Sequence, residues 1–592
     1  MKLSYTLFLV LRAIGNASKS YTQRELCEKT NLSLGSVNRA LKDAHTKGYV
    51  AQGRITDAGI AALEPYKVTN AIIMAAGLSS RFAPISYERP KGTLRVKGEV
   101  LIERQIKQLL EVGIHNICVV VGYKKEYFFY LSVKYGVDIV INPDYATKNN
   151  NSTLWYVRDR LDNTYICSSD NYFVHNPFER YVYDSYYAVQ HHEGTTDEWV
   201  VTTGTKDLIT KVDIGGADGD IMLGHVYFSR SFSKTFARIL TEEFPKPECA
   251  SKLWETIYLE HIKELPMYAR RYPASDILEF DSLDDLRSFD PDFIANVDSE
   301  VFDNICAVLH CNKEDITGFY PLKQGLTNLS CHFEVDGKEY VYRHPGAGTD
   351  KMIDRKSEKQ ALIKARDLGL DTTFIYEDEA KGWKISRFIP HAHTLDTSNE
   401  EHLRRAMTMC RTLHESGATL ARHFDFYHEG LRYESLLREH GTIDIPGYNE
   451  LKDKVTRLKA FADKDGYPVC ISHNDFFMLN FLIEDNGTIN LIDWEYAGMS
   501  DVANDFGTFC VCCSLDDDTA NRCIDYYFGR TATDSERRHF WSYVVLAGWC
   551  WYVWSLEKEA EGEHVAEWLY IYYRYATQYV DWLLAWYEKD AR

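Results

Sequence analysis

The stretch AIIMAAGLSSRFAPISYERPKGTL, residues 71–94, decides how the middle of this chain folds. It opens on an apolar run short enough for a strand buried on both faces. The run breaks at once into Ala75, Ala76 and Gly77, small residues that let a backbone approach a ligand closely. Arg81 and Lys91 then bracket the loop with fixed positive charge. A triphosphate attacked at its α-phosphorus needs both features.

Outward from this loop, residues 67–298 alternate strand and helix patterns. VTNAIIMAA and NICVVVGY read as buried strands, and LIERQIKQLLEVG between them reads as an amphipathic helix. That order predicts a doubly wound sheet with its ligand at the carboxyl ends of the strands. NTYICSSDNYF brings another strand to Asp170, where a carboxylate would bind Mg²⁺. Glu255 in SKLWETIY is the first candidate for a second metal ligand and Asp281 in LEFDSLDD the second, and either also reads as a solvated surface acid. The combination A-A-G-x-x-S-R-F with P-K-x-L resembles the sugar-phosphate and choline-phosphate nucleotidyltransferases. The resemblance implies that Arg81 and Lys91 hold the triphosphate and the incoming phosphate, and that Asp170 holds metal. NNNSTLWYVRDRL, SSDNYF, DEWVVTTG and GHVYFS are similar to bacterial phosphocholine cytidylyltransferases in particular. On that resemblance Trp155, Tyr172, Trp199 and Trp254 would wall a quaternary ammonium, which has no N–H to donate and is recognised by aromatic faces. Core packing is the competing expectation for each ring.

A second signature, ISHNDFFMLNFLIEDNGTINLIDWEY, spans residues 471–496. His473, Asp475 and Asn480 form H-x-D-x-x-x-x-N, the catalytic-loop spacing of kinase-like phosphotransferases. Asp475 would accept the proton of an alcohol and Asn480 would bind Mg²⁺. Asp493, thirteen residues beyond Asn480, stands where a second metal-binding acid belongs. IDWEYAG resembles the choline and ethanolamine kinases within the wider aminoglycoside phosphotransferase family, which adds Glu495 to the metal site. Upstream, Gly325 and Thr327 in the turn at residues 324–328 would cover the phosphates of ATP. Arg343 would be the strand-borne cation, paired with Glu358. Protein kinases use lysine there, whereas choline kinases commonly carry arginine. In GWCWYVWSLEKE, Trp551 and Trp554 fall at i, i+3 and share a helix face. The pattern resembles the choline-binding helix of choline kinases, with Trp549 or Trp494 completing the enclosure. A core stripe is the alternative.

The first 66 residues read as short helices and a small hairpin. Thr22 with Glu25 is a capping-box pair, and Ser33 or Ser36 starts a helix striped by Val37, Leu41 and Ala44. This resembles a winged helix-turn-helix, which would set Arg39 and Lys42 near DNA. A protein-docking module of the same fold is the alternative. These residues carry nine Lys/Arg against five Asp/Glu, a balance of +4 within a chain of net charge −20. So acidic a body excludes a protein devoted to coating nucleic acid.

At 592 residues the chain exceeds one hydrophobic core. The expected domains are 1–66, 67–298 and 299–592. The expected fold class is multidomain: an N-terminal winged helix, a central α/β Rossmann-like (GT-A-like) nucleotidyltransferase, and a C-terminal α+β kinase-like fold of the choline kinase/aminoglycoside phosphotransferase kind. The opening MKLSYTLFLVL is interrupted by Arg12 and lacks a cleavage site, and no stretch has the length of a membrane span, so a cytoplasmic protein is expected. Fourteen cysteines follow no framework, and Cys510, Cys512 and Cys513 read as buried thiols and not as a zinc site. The expected function is phosphorylation of choline with ATP followed by cytidylyl transfer from CTP to phosphocholine, giving CDP-choline, with Mg²⁺ at both sites. The same chemistries on ethanolamine or another amino alcohol are one alternative. A DNA-binding regulator that senses nucleotide or choline is another. The oligomeric state stays open.

Overall fold

The computed structural model describes residues 2–16, 19–322, 328–346, 353–562 and 565–590. The chain forms two compact units, Met1–Pro321 and Leu322–Arg592.

The first unit begins with helices Tyr5–Gly15, Gln23–Thr30 and Leu34–Thr46 and a wing of two-residue strands, Val50–Ala51 and Arg54–Ile55. Thr22 closes a capping box with Glu25, and Ser33 caps the third helix by accepting from the Ser36 amide. Val37, Ala40 and Ala44 supply that helix's buried stripe. The first helix also carries Phe8 against Tyr66 and Tyr183, with ring centres 5.0 and 5.2 Å apart, and Arg12 onto Glu179 at 2.7 Å. Because Glu179 and Tyr183 lie beyond the winged helix, these contacts dock it onto the domain that follows.

That domain is built on a seven-stranded sheet in the order Tyr268–Arg271, Tyr186–Thr203, Ile209–Phe228, Thr164–Ser168, Asn70–Ala75, Ile117–Val121, Asp138–Ile141. The last four run parallel. Alternate residues serve opposite cores: Ile72, Cys118, Val120 and Ile166 on one face, Ile73, Val119, Val121 and Cys167 on the other. Parallel strands need both faces covered, hence the near-continuous apolar runs. Ala75 pairs with Val121 and Met74 with Ser168. The strands therefore end level, and the loop after Ala75 emerges beside Ser169 and Asp170. Gly92 lies at their crossing, where a Cβ would come 2.8 Å from Ser169 Oγ. Helices Leu283–Phe289 and Glu300–Leu309 and strand Ile316–Pro321 complete the unit, so it extends past residue 298.

In the second unit, strands Asn328–Val335 and Lys338–Pro345 form a hairpin that continues through Lys384–Arg387 to Phe374–Glu377. Helix Arg355–Asp367 packs on the last of these. Two antiparallel pairs follow, Val469–Ser472 with Gly498–Asp501 and Phe481–Ile483 with Ile489–Leu491. The loop 473–480 runs between them. Most of the remainder is helical, dominated by the 28-residue helix Asp534–Glu561, which is buried over most of its length. Cys510 and Cys513 are buried and Cys512 half-buried. Among the described residues, no helix is long and apolar enough to cross a membrane.

Candidate active sites

In the first unit, Ala75, Ala76, Gly77, Lys91, Asn150 and Asp170 help line a cavity of 330 Å³ at the carboxyl ends of the parallel strands. Lys91 is buried, with its ammonium 3.1 Å from Asp170, 4.4 Å from the centre of the Phe82 ring, and donating to the Phe280 carbonyl. Arg81, by contrast, is exposed and paired with Asp281 at 2.7 Å. One cation is thus fixed by burial and the other by a surface acid. Glu279, which the sequence reading passed over, accepts from Asn171 at 3.2 Å. Desolvation and the adjacent Asp170 charge push its carboxyl up to about 7. Asp170 and Glu279 are therefore near enough to feel each other, and two carboxylates are the hard oxygen donors that suit Mg²⁺. Glu255 stands behind the cavity wall: it accepts from the lining residue Asn150 at 3.1 Å and from Tyr187 at 3.4 Å, and desolvation raises it to about 7. Asp281 is the partner of Arg81.

In the second unit the acids converge on a short loop. Asn480 Nδ2 donates to Asp475 Oδ2 at 2.9 Å and to the Asp475 carbonyl at 2.8 Å, closing the loop on itself. Burial first, and then the Asp493 charge, push Asp475 up to about 8. Glu495, raised to about 7 by burial and Asp493, accepts from Asn328 at 2.9 Å. Arg343 supplies the balancing charge: fully buried, it lies 2.5 Å from Glu358, 3.5 Å from Asp493 and 4.0 Å from Glu495. Arg355 adds a second cation on Glu358 at 2.9 Å. Asp475, Asn480, Asp493 and Glu495 offer only oxygen ligands, again a set that fits Mg²⁺. Gly325 and Thr327 lie outside the described residues.

The loop's backbone is held from behind. Asp505 accepts from the amides of His473 and Asn474 at 2.9 and 2.6 Å and from His414 Nε2 at 3.1 Å. Burial disfavours the His414 charge, but Cys410 and Asp505 hold its pKa well raised. Cys410, His414 and Asp505 have the donor types of a metal site. Their atoms are already hydrogen-bonded, His414 Nδ1 to Tyr527 at 2.9 Å included. His473 is neutral: burial lowers its pKa, its Nδ1 accepts the Asp475 amide at 3.2 Å, and its Nε2–H donates to Ile492 O at 2.9 Å. Asp505 had one legible signal, an acid at the head of the largely apolar run FGTFCVCC, whereas His414 in CRTLHESG had none.

Trp551, 6% exposed, stands edge-on to Trp554 at 6.0 Å, to Tyr496 at 6.3 Å and to Phe426 at 5.9 Å. Its indole N–H donates to Thr508 at 2.9 Å. Tyr496 and Tyr572 both feel the Asp475 charge, so this aromatic corner borders the acids. Trp494 does not belong to it: it is fully buried, donates to the Leu491 carbonyl and packs on His473. Trp549 is likewise buried, stacked on Tyr427. In the first unit, three rings expected to wall a ligand pack instead. Trp254 is buried on Tyr187 and Phe228, Trp155 stacks on Phe244 at 4.2 Å beneath Arg158, and Tyr172 meets Phe289 with Arg104 over its face. Arg39 and Lys42 are exposed on the outer face of their helix.

A hollow of 460 Å³ near Arg405 and Gly487 shares no lining residue with either acid cluster.

Comparison with known proteins gives three consecutive family matches: MarR family over residues 2–58, MobA-like NTP transferase domain over 71–213, and Choline/ethanolamine kinase over 319–546. A choline-phosphate cytidylyltransferase of Streptococcus pneumoniae is 33% identical over 220 residues, 37% of this chain and 96% of the relative. A 2-aminoethylphosphonate cytidylyltransferase of Lancefieldella rimae is 35% identical over 230 residues, 38% of this chain and 94% of the relative. Protein LicA of Haemophilus influenzae is 24% identical over 255 residues, 41% of this chain and 94% of the relative.

Proposed function

The chain is a fusion of a winged-helix-like domain, a MobA-like nucleotidyltransferase and a choline-kinase-like phosphotransferase of the LicA/LicC type, and from that premise we propose that it converts choline to CDP-choline in two steps. Its general chemistry is that of a kinase acting on an amino alcohol and a cytidylyltransferase forming a CDP-alcohol. In the second unit Asp475 takes the proton of the choline hydroxyl as the γ-phosphoryl of ATP is transferred. The observation that carries the reading is the neighbourhood of Asp475, where Asn480, Asp493 and Glu495 meet the Tyr496–Trp551–Trp554 corner. A base beside aromatic faces suits an alcohol that ends in a quaternary ammonium. In the first unit the phosphate of phosphocholine attacks the α-phosphorus of CTP and pyrophosphate leaves. Lys91 and Arg81 align and neutralise the anionic reactants, and no covalent enzyme intermediate is needed. Mg²⁺ held by Asp170 and Glu279, and by Asn480, Asp493 and Glu495, would neutralise phosphate charge at each site.

The runner-up is a primary-amine substrate for the first unit. It is favoured by the packing of Trp155, Tyr172 and Trp254 against neighbouring side chains and by the Lancefieldella relative. One assay separates the readings: the full chain with ATP, CTP, Mg²⁺ and choline or ethanolamine, followed by phosphorus NMR. CDP-choline should form, Asp475→Ala should stop phosphocholine production, and added phosphocholine should still be consumed by that variant. Faster turnover of ethanolamine and of phosphoethanolamine would install the runner-up.

A further inference from the structure

The loop that presents Arg81 and Lys91 rests on the chain segment that leaves the domain. Helix Ile85–Glu88 ends between the two cations, and Glu88 Oε1 accepts the amide of Val301 at 3.2 Å. Burial raises the pKa of this carboxyl, and the Ser299 hydroxyl and the Val301 and Glu300 amides beside it oppose that rise. Glu88 therefore caps helix Glu300–Leu309 from outside, next to Ser299, which accepts from the Phe302 amide at 3.2 Å. A carboxylate there also meets the positive end of the helix dipole. Arg89 binds the Asp298 carbonyl at 2.7 Å, and the Lys97 amide binds Asp290 at 2.6 Å.

The contacts close into a ring. Phe302 of the connector helix packs on Phe319 of strand Ile316–Pro321, ring centres 5.2 Å apart, and that strand packs on the turn Ser80–Phe82 that contains Arg81. Arg287 fixes the start of the strand through the Glu314 and Ile316 carbonyls. Both ends of the loop are thus buttressed by residues 283–321, while Arg81 itself is 71% exposed with one surface acid as partner.

We propose that Glu88 is a positioning residue for nucleotidyl transfer: by capping helix Glu300–Leu309 it fixes the loop that offers Arg81 and Lys91 to the triphosphate, which makes the connector a working part of the nucleotidyltransferase. This rests on the cytidylyltransferase reading above. A cation displaced by an ångström loses much of its value in an aligned transfer, up to about a hundredfold in rate.

The test uses the full chain and measures KM for CTP, kcat for cytidylyl transfer, and ATP-dependent phosphorylation in the same preparation as the control for folding. Glu88→Ala should raise the KM for CTP about tenfold and lower kcat, with phosphorylation unchanged. Glu88→Gln keeps an acceptor for the Val301 amide and should stay within about threefold of wild type. Glu300→Pro removes the neighbouring amide that favours the Glu88 charge, at a position where proline suits the helix start, and should raise the KM by about threefold. Wild-type KM and kcat in Glu88→Ala overturn the proposal. So does a Glu88→Gln variant as impaired as the alanine. Should Glu88→Ala precipitate, Glu300→Pro carries the test, and an unchanged KM there overturns it. A wild-type chain that never consumes CTP would sink the cytidylyltransferase reading itself, a separate outcome.

Discussion

At the scale of single residues, the proposed function separates groups of the second unit that would touch substrate from groups that hold them. Trp554 is the half-buried member of the aromatic corner, packed at the edge of the core, so its removal disturbs that core less than loss of the buried Trp551 would. An aromatic face on a quaternary ammonium contributes about 0.5–2 kcal/mol, a factor of roughly 2 to 30 in binding. Trp554→Ala should raise the KM for choline by that factor with little change in kcat or thermal midpoint. Steady-state kinetics with choline and with ATP varied separately will show it. Asp505 is a holder: it ties two loop amides to His414 in a sealed site. Asp505→Asn leaves a buried imidazolium without its counter-charge, which typically costs about 3–5 kcal/mol. The expected result is a lower melting temperature and a phosphorylation kcat reduced about tenfold or more, with cytidylyl transfer unaffected. A fall confined to KM for choline would contradict the role.

Among the elements, helix Asp534–Glu561 has a pH-dependent anchor. His539 Nδ1 lies 3.0 Å from Asp465 and its Nε2 2.9 Å from Asp501, on the strand that pairs with Val469–Ser472. Burial alone would lower its pKa, but the two carboxylates outweigh burial and the net shift is upward. The sign follows from linkage: a raised folded pKa means stability fully present below the unfolded value of about 6.5 and lost as pH rises through the folded value. The second unit should therefore melt at a lower temperature as pH climbs from about 6 through that range. His539→Gln should flatten this slope, as read by calorimetry across pH. The elements also mark what sequence spacing can and cannot tell. Capping pairs such as Thr22–Glu25 and the strand-loop signatures were legible because local geometry decides them. Trp254 and Trp494 were not, because a tryptophan's spacing is the same whether its face meets a ligand or a core. Glu279 was missed because nothing in the chain says which of several acids after a strand will turn toward Asp170. The placement of residues 299–321 in the first unit depends on long-range contacts such as Glu88 with Val301, which no local pattern encodes.

For the whole molecule, two units with separate hydrophobic cores carry separate acid clusters. In the proposed function the product of one reaction is a substrate of the other, and it is a small, highly soluble phosphomonoester. Each cluster can be silenced alone: Asp475→Ala removes the proposed base of the second unit, and Asp170→Ala removes the acid beside Lys91. Supplied with choline, ATP, CTP and Mg²⁺, neither variant should make CDP-choline. A mixture of the two should make it after a lag, because phosphocholine released by one chain is captured by the other. The lag should shorten in proportion to total protein, as diffusion between chains requires, and wild type at matched active-site concentration should reach the same steady rate. A wild-type rate far above the mixture, unaffected by an added excess of the Asp475→Ala chain as a competing acceptor, would instead mean that the intermediate stays with the chain that made it.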